Sequence, residues 1–329
     1  MPLPSILWPW VCQKRCKPTK HCSVNPDLDR GKTSLTLSCI GAGRAGKTLC
    51  RLFAEQQSEL EISIGQIINR SRVSAAEAVA FIGQGRAEED FENLSPANIW
   101  LIATPDNTIS AVSESLAASG VLRKGDSVFH CSGSLSSEIL STASDTAYRA
   151  SVHPIHSFAN PENSVHHFSG SACAIEGDQQ ASAILTELFT GIGGNCFALD
   201  ADKKALYHAA TVMASNNLVS LLSLSQQLLE AAGVQTEGGD NILQSLAKNS
   251  LNNYFNSDGV GALTGPISRG DHKTIEAHLE SLKAYPDWQR VYASLGEIAV
   301  GLAAQQGYTS NEQLDTISNL LNPVNKSTN

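Results

Sequence analysis

The feature that most constrains this chain is an apolar run that ends in Gly-Ala-Gly-Arg-Ala-Gly and is followed by a helical pattern, over residues 35–57. A strand, a turn of the form G-x-G-x-x-G and a helix in this order place the pyrophosphate of a dinucleotide on the helix N-terminus. The first glycine permits the tight turn, the second lets the backbone approach phosphate, and the third allows helix and strand to pack closely. The predicted cofactor-binding residues of this turn are Gly41, Gly43, Arg44, Ala45 and Gly46.

The residues that follow the second predicted strand, at 61–68, indicate which dinucleotide binds. An acidic residue at this point would accept hydrogen bonds from the ribose of NAD. The sequence has Asn69, Arg70, Ser71 and Arg72 there instead. No carboxylate is expected to repel a 2′-phosphate, and two guanidiniums and a hydroxyl are suited to bind one. We therefore predict NADP as the cofactor and these four residues as part of its site; the alternative is a solvated basic turn.

Three further predicted strands, at 98–103, 127–130 and 149–152, each end in a polar turn. Ligands of open α/β sheets bind at the carboxyl ends of the strands. Thr104 and Pro105 are therefore predicted beside the cofactor, and Ser132 stands in the polar turn that follows the next predicted strand. His153 precedes a proline, which favours an extended backbone and fixes where the ring is presented. It is predicted to orient substrate or to act as an acid, with a purely structural histidine as the alternative.

Strand patterns stop near residue 200, after two short predicted strands at 172–176 and 195–199. Helical patterns continue from there, with breaks predicted at 233–240 and 252–265. The fold class is therefore α/β: a Rossmann dinucleotide-binding domain at 34–200 followed by an all-α domain at 201–329, predicted to bind substrate and to dimerise.

The first helix of the second half, at 203–217, projects one polar stripe. At about 100° per residue, the side chains of Lys204, His208, Thr211 and Ser215 fall on one side. An ammonium and an imidazole facing a nicotinamide would polarise a carbonyl and protonate its oxygen. The apolar residues on the remaining surface predict that this helix is buried. The alternative is a solvent-facing surface of a capping helix.

A glycine-rich polar block at 262–274 is the other candidate for chemistry in the second half. Arg269 is suited to hold a substrate carboxylate by paired hydrogen bonds. Asp271 and Thr274 are expected to cap a helix at 275–282. The alternative is a structural loop.

Composition describes an ordinary globular chain, with 42% hydrophobic and 17% charged residues among 329. This length suffices for two domains with sizeable cores. The net charge of -9 argues against a general nucleic-acid binder, because phosphate neutralisation needs a clustered positive surface. No run of about 18 apolar residues occurs, so no membrane-spanning helix is predicted.

The first 33 residues are predicted to be a disordered tail, because prolines interrupt their apolar part and the basic residues come after it. A zinc site of Cys12, Cys16, His21 and Cys22 is an alternative, but the spacing lacks a C-x-x-C pair, and no metal is predicted. The later cysteines stand singly in apolar segments, which favours reduced thiols and a cytoplasmic location.

Five segments together resemble one protein family. They are Gly-Ala-Gly-Arg-Ala-Gly at 41–46, His-Cys-Ser-Gly-Ser at 130–134, His-Pro-Ile-His-Ser-Phe at 153–158, Tyr-His-Ala-Ala at 207–210 and Leu-Thr-Gly-Pro-Ile-Ser-Arg-Gly-Asp at 263–271. Over residues 34–310 the chain resembles the Rossmann-like oxidoreductases whose helical C-terminal domain was long described as of unknown function.

That family is related to 6-phosphogluconate dehydrogenases, deazaflavin-dependent NADP oxidoreductases and pyrroline-5-carboxylate reductases, so the resemblance implies a C-terminal domain like that of 6-phosphogluconate dehydrogenase. Some members are similar to an alternative ketopantoate reductase of pantothenate synthesis, which reduces 2-dehydropantoate with NADPH. In the wider superfamily a Lys and an Asn four residues later flank the reacting carbon. Lys204 matches the Lys, whereas His208 stands in place of the Asn and can still donate a hydrogen bond.

The resemblance implies an NADP-dependent oxidoreductase that transfers hydride to the carbonyl of a small oxo acid. Lys204 and His208 would polarise and protonate the oxygen, Arg269 would hold the carboxylate, and Ser132 and His153 would line the pocket. Two alternatives stay open: an enzyme that resembles prephenate dehydrogenase, and an NADP-binding sensor without catalysis. The expected partners are a small-molecule substrate and a second copy of the chain.

Overall fold

The computed structural model describes residues 33–58, 60–143, 147–234 and 236–322. The chain divides after Tyr207 into two compact units. The tail predicted at 1–33 lies outside the described residues except for Thr33, which begins the first strand instead. The cysteines and histidine of the alternative zinc site also lie outside them.

The first unit is built on a sheet that has eight strands within the described residues. They are β1 (Thr33–Ile40), β2 (Leu60–Ile68), β3 (Arg86–Glu88), β4 (Ile99–Ile102), β5 (Ser127–His130), β6 (Tyr148–Pro154), β7 (Ala172–Gly177) and β8 (Asn195–Ala198). Their order in the sheet is β3-β2-β1-β4-β5-β6-β7-β8. Neighbouring strands are parallel except β6 and β7, which are antiparallel.

Helices cover both faces of this sheet. They are α1 (Arg44–Glu55), α2 (Arg72–Ile82), α3 (Ile109–Ala118), α4 (Pro161–His167) and α5 (Gln179–Gly191). One apolar core contains Phe53 of α1 and Leu185 of α5, and a second core contains Leu116 of α3. All four residues of β4 are buried, as expected of a parallel strand that is covered on both sides. The predicted α/β class is confirmed.

The sheet differs from the sequence prediction at two strands. β3 was not predicted, because it has only three residues and two of them are charged. β6 continues through His153 and Pro154, which were predicted to form a turn. Pairing with the antiparallel strand β7 extends to Pro154, opposite Cys173, and this pairing prolongs the strand.

Helix α6 (Lys204–Ala214) begins in the first unit and ends in the second. The prediction that this helix is buried is wrong: Lys204 is its one buried residue, while Leu206 is 74% exposed and Met213 is 54% exposed. Two members of the predicted polar stripe bond to the helix backbone, since Thr211 Oγ1 donates to His208 O and Ser215 Oγ donates to Thr211 O. Amphipathic spacing shows on which side of a helix the apolar residues lie, but it does not show whether another part of the protein covers that side.

The second unit is helical in its described residues. It contains α7 (Asn216–Ala231), α8 (Thr236–Phe255), α9 (His272–Ser281), α10 (Pro286–Gln306) and α11 (Asn311–Leu321). Its apolar core joins Ile275 of α9, Ala303 of α10 and Ile317 of α11. None of the helices in the described residues is long and apolar enough to span a membrane.

Two predictions for the second unit have different outcomes. The break at 233–240 is wrong in its extent, because α8 already begins at Thr236 and includes both later glycines. Each glycine in a helix costs about 1 kcal/mol, which a helix of 20 residues tolerates in its first turn. The cap by Asp271 is confirmed: its Oδ1 accepts from Thr274 N at 3.1 Å, although the capped helix begins at His272.

Candidate active site

The glycine turn after β1 has the backbone geometry that the sequence predicted. Gly41 has a φ of 86°, and a Cβ there would lie 2.5 Å from Thr104 Cγ2. A Cβ on Gly46 would lie 2.9 Å from Ala103 Cβ, so the third glycine allows α1 to approach β4. The position of Gly43 is open, because the nearest atom to its Cβ would be 4.0 Å away. The turn is therefore shaped to admit a group against Gly43.

The electrostatics of this turn fit an anion. Gly43 is the N-cap of α1, which has no side-chain cap and no acidic residue in its first turn. The amide groups and the dipole at a helix N-terminus attract phosphate. Nearby, Thr104 Oγ1 is buried without a hydrogen-bond partner among the described residues. A buried hydroxyl without a partner is costly in free energy, and a phosphate or ribose oxygen would satisfy it. The residues present therefore fit a dinucleotide.

The segment after β2 is arranged differently from the prediction. Asn69 Oδ1 accepts from Ala42 N at 2.7 Å, so this side chain holds the glycine turn. Ser71 Oγ caps α2 by accepting from Ser74 N. The expectation that no carboxylate lies here is wrong, since Glu89 Oε2 accepts from Arg72 N at 3.1 Å. Strand β3 brings Glu89 to the N-terminus of α2, which the local sequence did not show. Arg70 and Arg72 are exposed.

The turn after β5 is organised by the Ser132 hydroxyl. Ser132 Oγ donates to Asp106 Oδ2 at 2.7 Å and accepts from the amides of Ser134 and Leu135, at 3.2 and 3.0 Å. Ser134 Oγ donates to the same carboxylate oxygen of Asp106 at 3.2 Å. Asp106 belongs to the turn after β4. The predicted cofactor-binding residue Pro105 precedes it and is exposed. The turns after β4 and β5 are thus joined, and the Ser132 hydroxyl is fully engaged in joining them.

Lys204 lies beneath this turn in a buried polar network. Its Nζ donates to Ser151 Oγ at 2.7 Å and to Ser132 O at 3.1 Å, and it lies 3.7 Å from Glu176 Oε1. Glu176 in turn accepts from the amide and the hydroxyl of Ser137, both at 2.8 Å. Lys204 is 1% exposed and Glu176 is 7% exposed. Burial lowers the pKa of Lys204, and the Glu176 carboxylate opposes this shift. The ammonium therefore fixes the Ser132 turn from below.

A second polar pair lies at the end of β6. His153 Nδ1 is 2.9 Å from the Tyr207 hydroxyl, and the two rings meet edge to face at 5.6 Å between centroids. Both side chains are partly exposed. Burial raises the pKa of Tyr207 to about 12, so the phenol is protonated at neutral pH.

The other two predicted catalytic residues belong to the second unit. His208 is partly buried, and its carbonyl accepts from Thr211 Oγ1. Arg269 is exposed in the turn before α9, where its amide donates to Pro266 O at 3.2 Å. Their catalytic roles stay predictions. No group of three His, Cys, Asp or Glu residues in the described part of the chain is placed to hold a metal ion.

Sequence reasoning missed four residues of this site: Asp106, Ser151, Glu176 and Tyr207. Two of them had a local signal, because Asp106 stands in the polar turn after β4 and Tyr207 precedes the predicted His208. Ser151 and Glu176 lie inside strands and gave none. They face each other only through the antiparallel register of β6 and β7.

His130 gives this site a pH-dependent stability. Its Nε2 donates to Ser136 O at 3.1 Å, and its Nδ1 accepts from Ser132 N at 3.1 Å. Burial lowers the pKa of His130 from 6.5 to about 4. As the pH falls, His130 therefore takes up a proton at a higher pH in the unfolded chain than in the folded protein. The stability due to neutral His130 is complete above pH 6.5 and is lost as the pH falls toward 4.

We expect the free energy of unfolding, measured with urea, to fall by about 3 kcal/mol over this pH window because His130 becomes protonated. His130→Gln should remove that share of the pH dependence, whatever its effect on absolute stability. His166→Gln is the matched control, because His166 is exposed on α4 and should leave the profile unchanged. An identical pH profile in wild type and His130→Gln would exclude His130 as the source.

The fold and the glycine turn together define a Rossmann-type, dinucleotide-binding class of protein. Residues 20–154 match the model of the Rossmann-like domain, and residues 171–298 match that of the domain of unknown function DUF2520. The chain therefore belongs to the proteins in which a Rossmann-like domain is followed by a DUF2520 domain. No curated protein matches the sequence significantly.

Three proteins of known structure are among those similar to this chain. Protein TM1727 from Thermotoga maritima is 28% identical with a TM-score of 0.65, and the match covers 82% of this chain and 99% of that one. Protein BF3122 from Bacteroides fragilis is 19% identical, with a TM-score of 0.64 and coverage of 81% and 98%. A reductive aminase from Aspergillus terreus, in complex with NADPH and ethyl-5-oxohexanoate, is 16% identical, with a TM-score of 0.53 and coverage of 90% and 95%.

Proposed function

We propose that the protein is an NADPH-dependent reductase of a small oxo acid, with 2-dehydropantoate as the substrate. The observation behind the choice of cofactor is the open position at Gly43, the N-cap of α1. The buried Thr104 hydroxyl, which has no hydrogen-bond partner among the described residues, adds to it. The similar reductive aminase was solved with NADPH, which supports the same cofactor class. The choice of 2-dehydropantoate rests on the resemblance of the five sequence segments to a family in which some members are similar to an alternative ketopantoate reductase.

When bound, NADPH supplies the hydride for reduction of a carbonyl. The chain supplies the setting: Gly41, Gly43 and Gly46 admit the pyrophosphate, and Asn69 holds the glycine turn. Arg44 and Ala45, in the first turn of α1, add backbone amides that point to the same group. Lys204 and Ser132 hold the turns after β4 and β5 in place, so we assign them to positioning of the substrate pocket.

The 2′-phosphate of NADPH is proposed to bind at the N-terminus of α2, between Arg70 and Arg72. Glu89 is an acidic neighbour of this site, since its carboxylate accepts from Arg72 N. A carboxylate at this point competes with a phosphate for the same amide and repels it. Glu89 therefore weakens NADPH binding and leaves NADH binding unaffected.

We expect Glu89→Gln to tighten NADPH binding by about two- to five-fold, as for an exposed charge pair of 0.4–1 kcal/mol. The affinity for NADH should stay the same, because that nucleotide places no phosphate here. Both affinities are measured by titration of nucleotide fluorescence. Glu77→Gln, an exposed change on the same helix, is the control and should alter neither. Equal tightening of both nucleotides would place the 2′-phosphate elsewhere.

Growth of a bacterial strain that lacks ketopantoate reductase tests the function in a cell. We expect the wild-type gene to restore growth without added pantothenate. The gene that encodes Gly43→Asp should fail, although its protein accumulates. Failure of the wild-type gene while the purified protein binds NADPH would rule out this substrate and would favour another oxo acid or a non-catalytic sensor.

A homodimer is proposed because the second unit exposes apolar side chains on several helices. Val219 of α7 is 68% exposed, Leu246 of α8 is 62% exposed and Ile298 of α10 is 58% exposed. A contiguous exposed apolar patch is typical of a protein interface, and we propose that these side chains form one. With five free thiols in the described residues, we also propose a reducing, cytoplasmic location.

Light scattering is expected to give the mass of two chains. Leu246→Arg should shift the protein toward the mass of one chain, because a buried unpaired charge at an interface is costly. Val73→Arg is the control, since Val73 is also 72% exposed but lies on α2 in the first unit. A single-chain mass for the wild type at all concentrations would refute the dimer.

A further inference from the structure

A phenol from helix α6, that of Tyr207, lies at the carboxyl edge of the sheet. His130 of β5 pairs with Ser151 of β6, and both strands run in the same direction. Ser132 lies two residues after His130, and His153 lies two residues after Ser151. Both residues are therefore at the carboxyl edge of the sheet. The Tyr207 hydroxyl is 2.9 Å from His153 Nδ1 and is therefore held at the same edge.

The other donors of this region are already engaged. The Ser132 hydroxyl donates to Asp106 and accepts from two amides, and Ser132 is 5% exposed. The Lys204 ammonium is 1% exposed and lies among oxygens of Ser132, Ser151 and Glu176. To reach a substrate, either group would have to leave these partners, which is unfavourable for a buried charge. Tyr207 and His153, in contrast, are both partly exposed.

The pair has the connectivity of a proton relay. When His153 Nδ1 carries the proton, the imidazole donates to the Tyr207 oxygen, and the phenolic hydrogen is directed to another acceptor. The Phe197 ring meets the phenol ring edge to face, at 6.2 Å between centroids, and helps to fix its orientation. The phenol is protonated at neutral pH because burial raises its pKa to about 12. Transfer to a developing alkoxide, a much stronger base, is favourable.

We propose that Tyr207 is the proton donor of the reduction and that His153 is the residue that reprotonates it. This assignment rests on the proposed reductase function. As the carbonyl carbon is reduced, the C=O π bond opens and its electron pair moves to the oxygen. The Tyr207 O–H bond breaks and its proton goes to that oxygen, which gives the alcohol. The tyrosinate takes the Nδ1 proton of His153, and the imidazole takes up a proton from solvent. Proton exchange with solvent then returns the ring to its Nδ1–H tautomer, so one solvent proton is consumed in each turnover.

Tyr207→Phe in the full-length protein tests this assignment. We expect kcat with 2-dehydropantoate and NADPH to fall by about 100-fold or more, as for loss of a general acid. The affinity for NADPH, measured by fluorescence titration without substrate, should change less than twofold. The Nδ1 resonance of His153 in ¹⁵N-histidine-labelled protein should shift, because its hydrogen bond is lost. Tyr308→Phe is the control: Tyr308 is 82% exposed in the second unit, and its change should leave all three quantities unaltered.

His153→Gln separates the two roles. It retains the phenol but removes its proton supply, so we expect kcat to fall while the affinity for NADPH stays unchanged. The kcat of this variant should also depend less on pH than that of the wild type. Turnover by Tyr207→Phe within threefold of the wild type would overturn the assignment of Tyr207 and leave the proposed function intact. Tight NADPH binding by the wild type with no reduction of 2-dehydropantoate or of any other 2-oxo acid would overturn both.

Discussion

Lys204→Met is expected to lower the free energy of unfolding by about 3–5 kcal/mol, because it leaves the Glu176 carboxylate buried without its cation. Glu176 keeps its two hydrogen bonds from Ser137, but the ammonium 3.7 Å away is lost. Ser132 O and Ser151 Oγ also lose their donor. Urea unfolding of the full chain near pH 7, followed by far-UV circular dichroism, measures the effect.

Two further variants show whether the cause is the buried charge. Lys203→Met changes the preceding residue, whose side chain is 60% exposed, and should leave the urea midpoint of unfolding unchanged. The double variant Lys204→Met with Glu176→Leu removes both charges and should recover much of the lost stability, since apolar pairs often replace buried ion pairs well. If Lys204→Met unfolds at the same urea concentration as the wild type, the network does not hold the Ser132 turn.

The second large effect is expected for Gly43→Asp, which should weaken NADPH binding by about 100- to 1,000-fold while the fold is retained. The new Cβ meets nothing closer than 4.0 Å, and Gly43 has the extended backbone of an N-cap. Aspartate is a favoured N-cap residue, so stability should stay the same or rise by a few tenths of a kcal/mol. A carboxylate about 4 Å from the pyrophosphate repels it by roughly 3–4 kcal/mol at an effective dielectric of 20. Fluorescence titration with NADPH gives the affinity, and urea unfolding gives the stability.

Gly43→Ser is the matched control for this change. Serine also caps the helix and has a similar volume near the backbone, but it carries no charge. Its NADPH affinity should fall much less than that of the aspartate variant. Equal NADPH affinity in wild type and Gly43→Asp would mean that no phosphate lies against this helix N-terminus.

The residues that sequence reasoning placed well are those whose roles are local. The roles of Gly41 and Gly46 depend on the turn itself and on the strand beside it, and the geometry of both is as predicted. Strand β4 was recognisable because four consecutive apolar residues imply helices on both faces. The cap by Asp271 depends on a residue three positions away.

The residues that it missed depend on contacts between distant segments. Glu176 reaches Lys204 only because β7 runs antiparallel to β6, and no local pattern gives the direction of that strand. Glu89 reaches Arg72 through β3, a strand too short and too charged to be recognised. The exposure of α6 escaped prediction for a related reason: apolar residues at helical spacing predict burial but do not say which surface provides it.

The most direct test of the proposed function is the decrease of NADPH absorbance when the wild-type protein is mixed with NADPH and 2-dehydropantoate. We predict steady oxidation of NADPH, much slower oxidation of NADH, and none above background with Gly43→Asp. NADPH that binds to the wild-type protein but stays reduced with 2-dehydropantoate, and with a panel of other 2-oxo acids and imines, would contradict the assignment of this chain as a reductase.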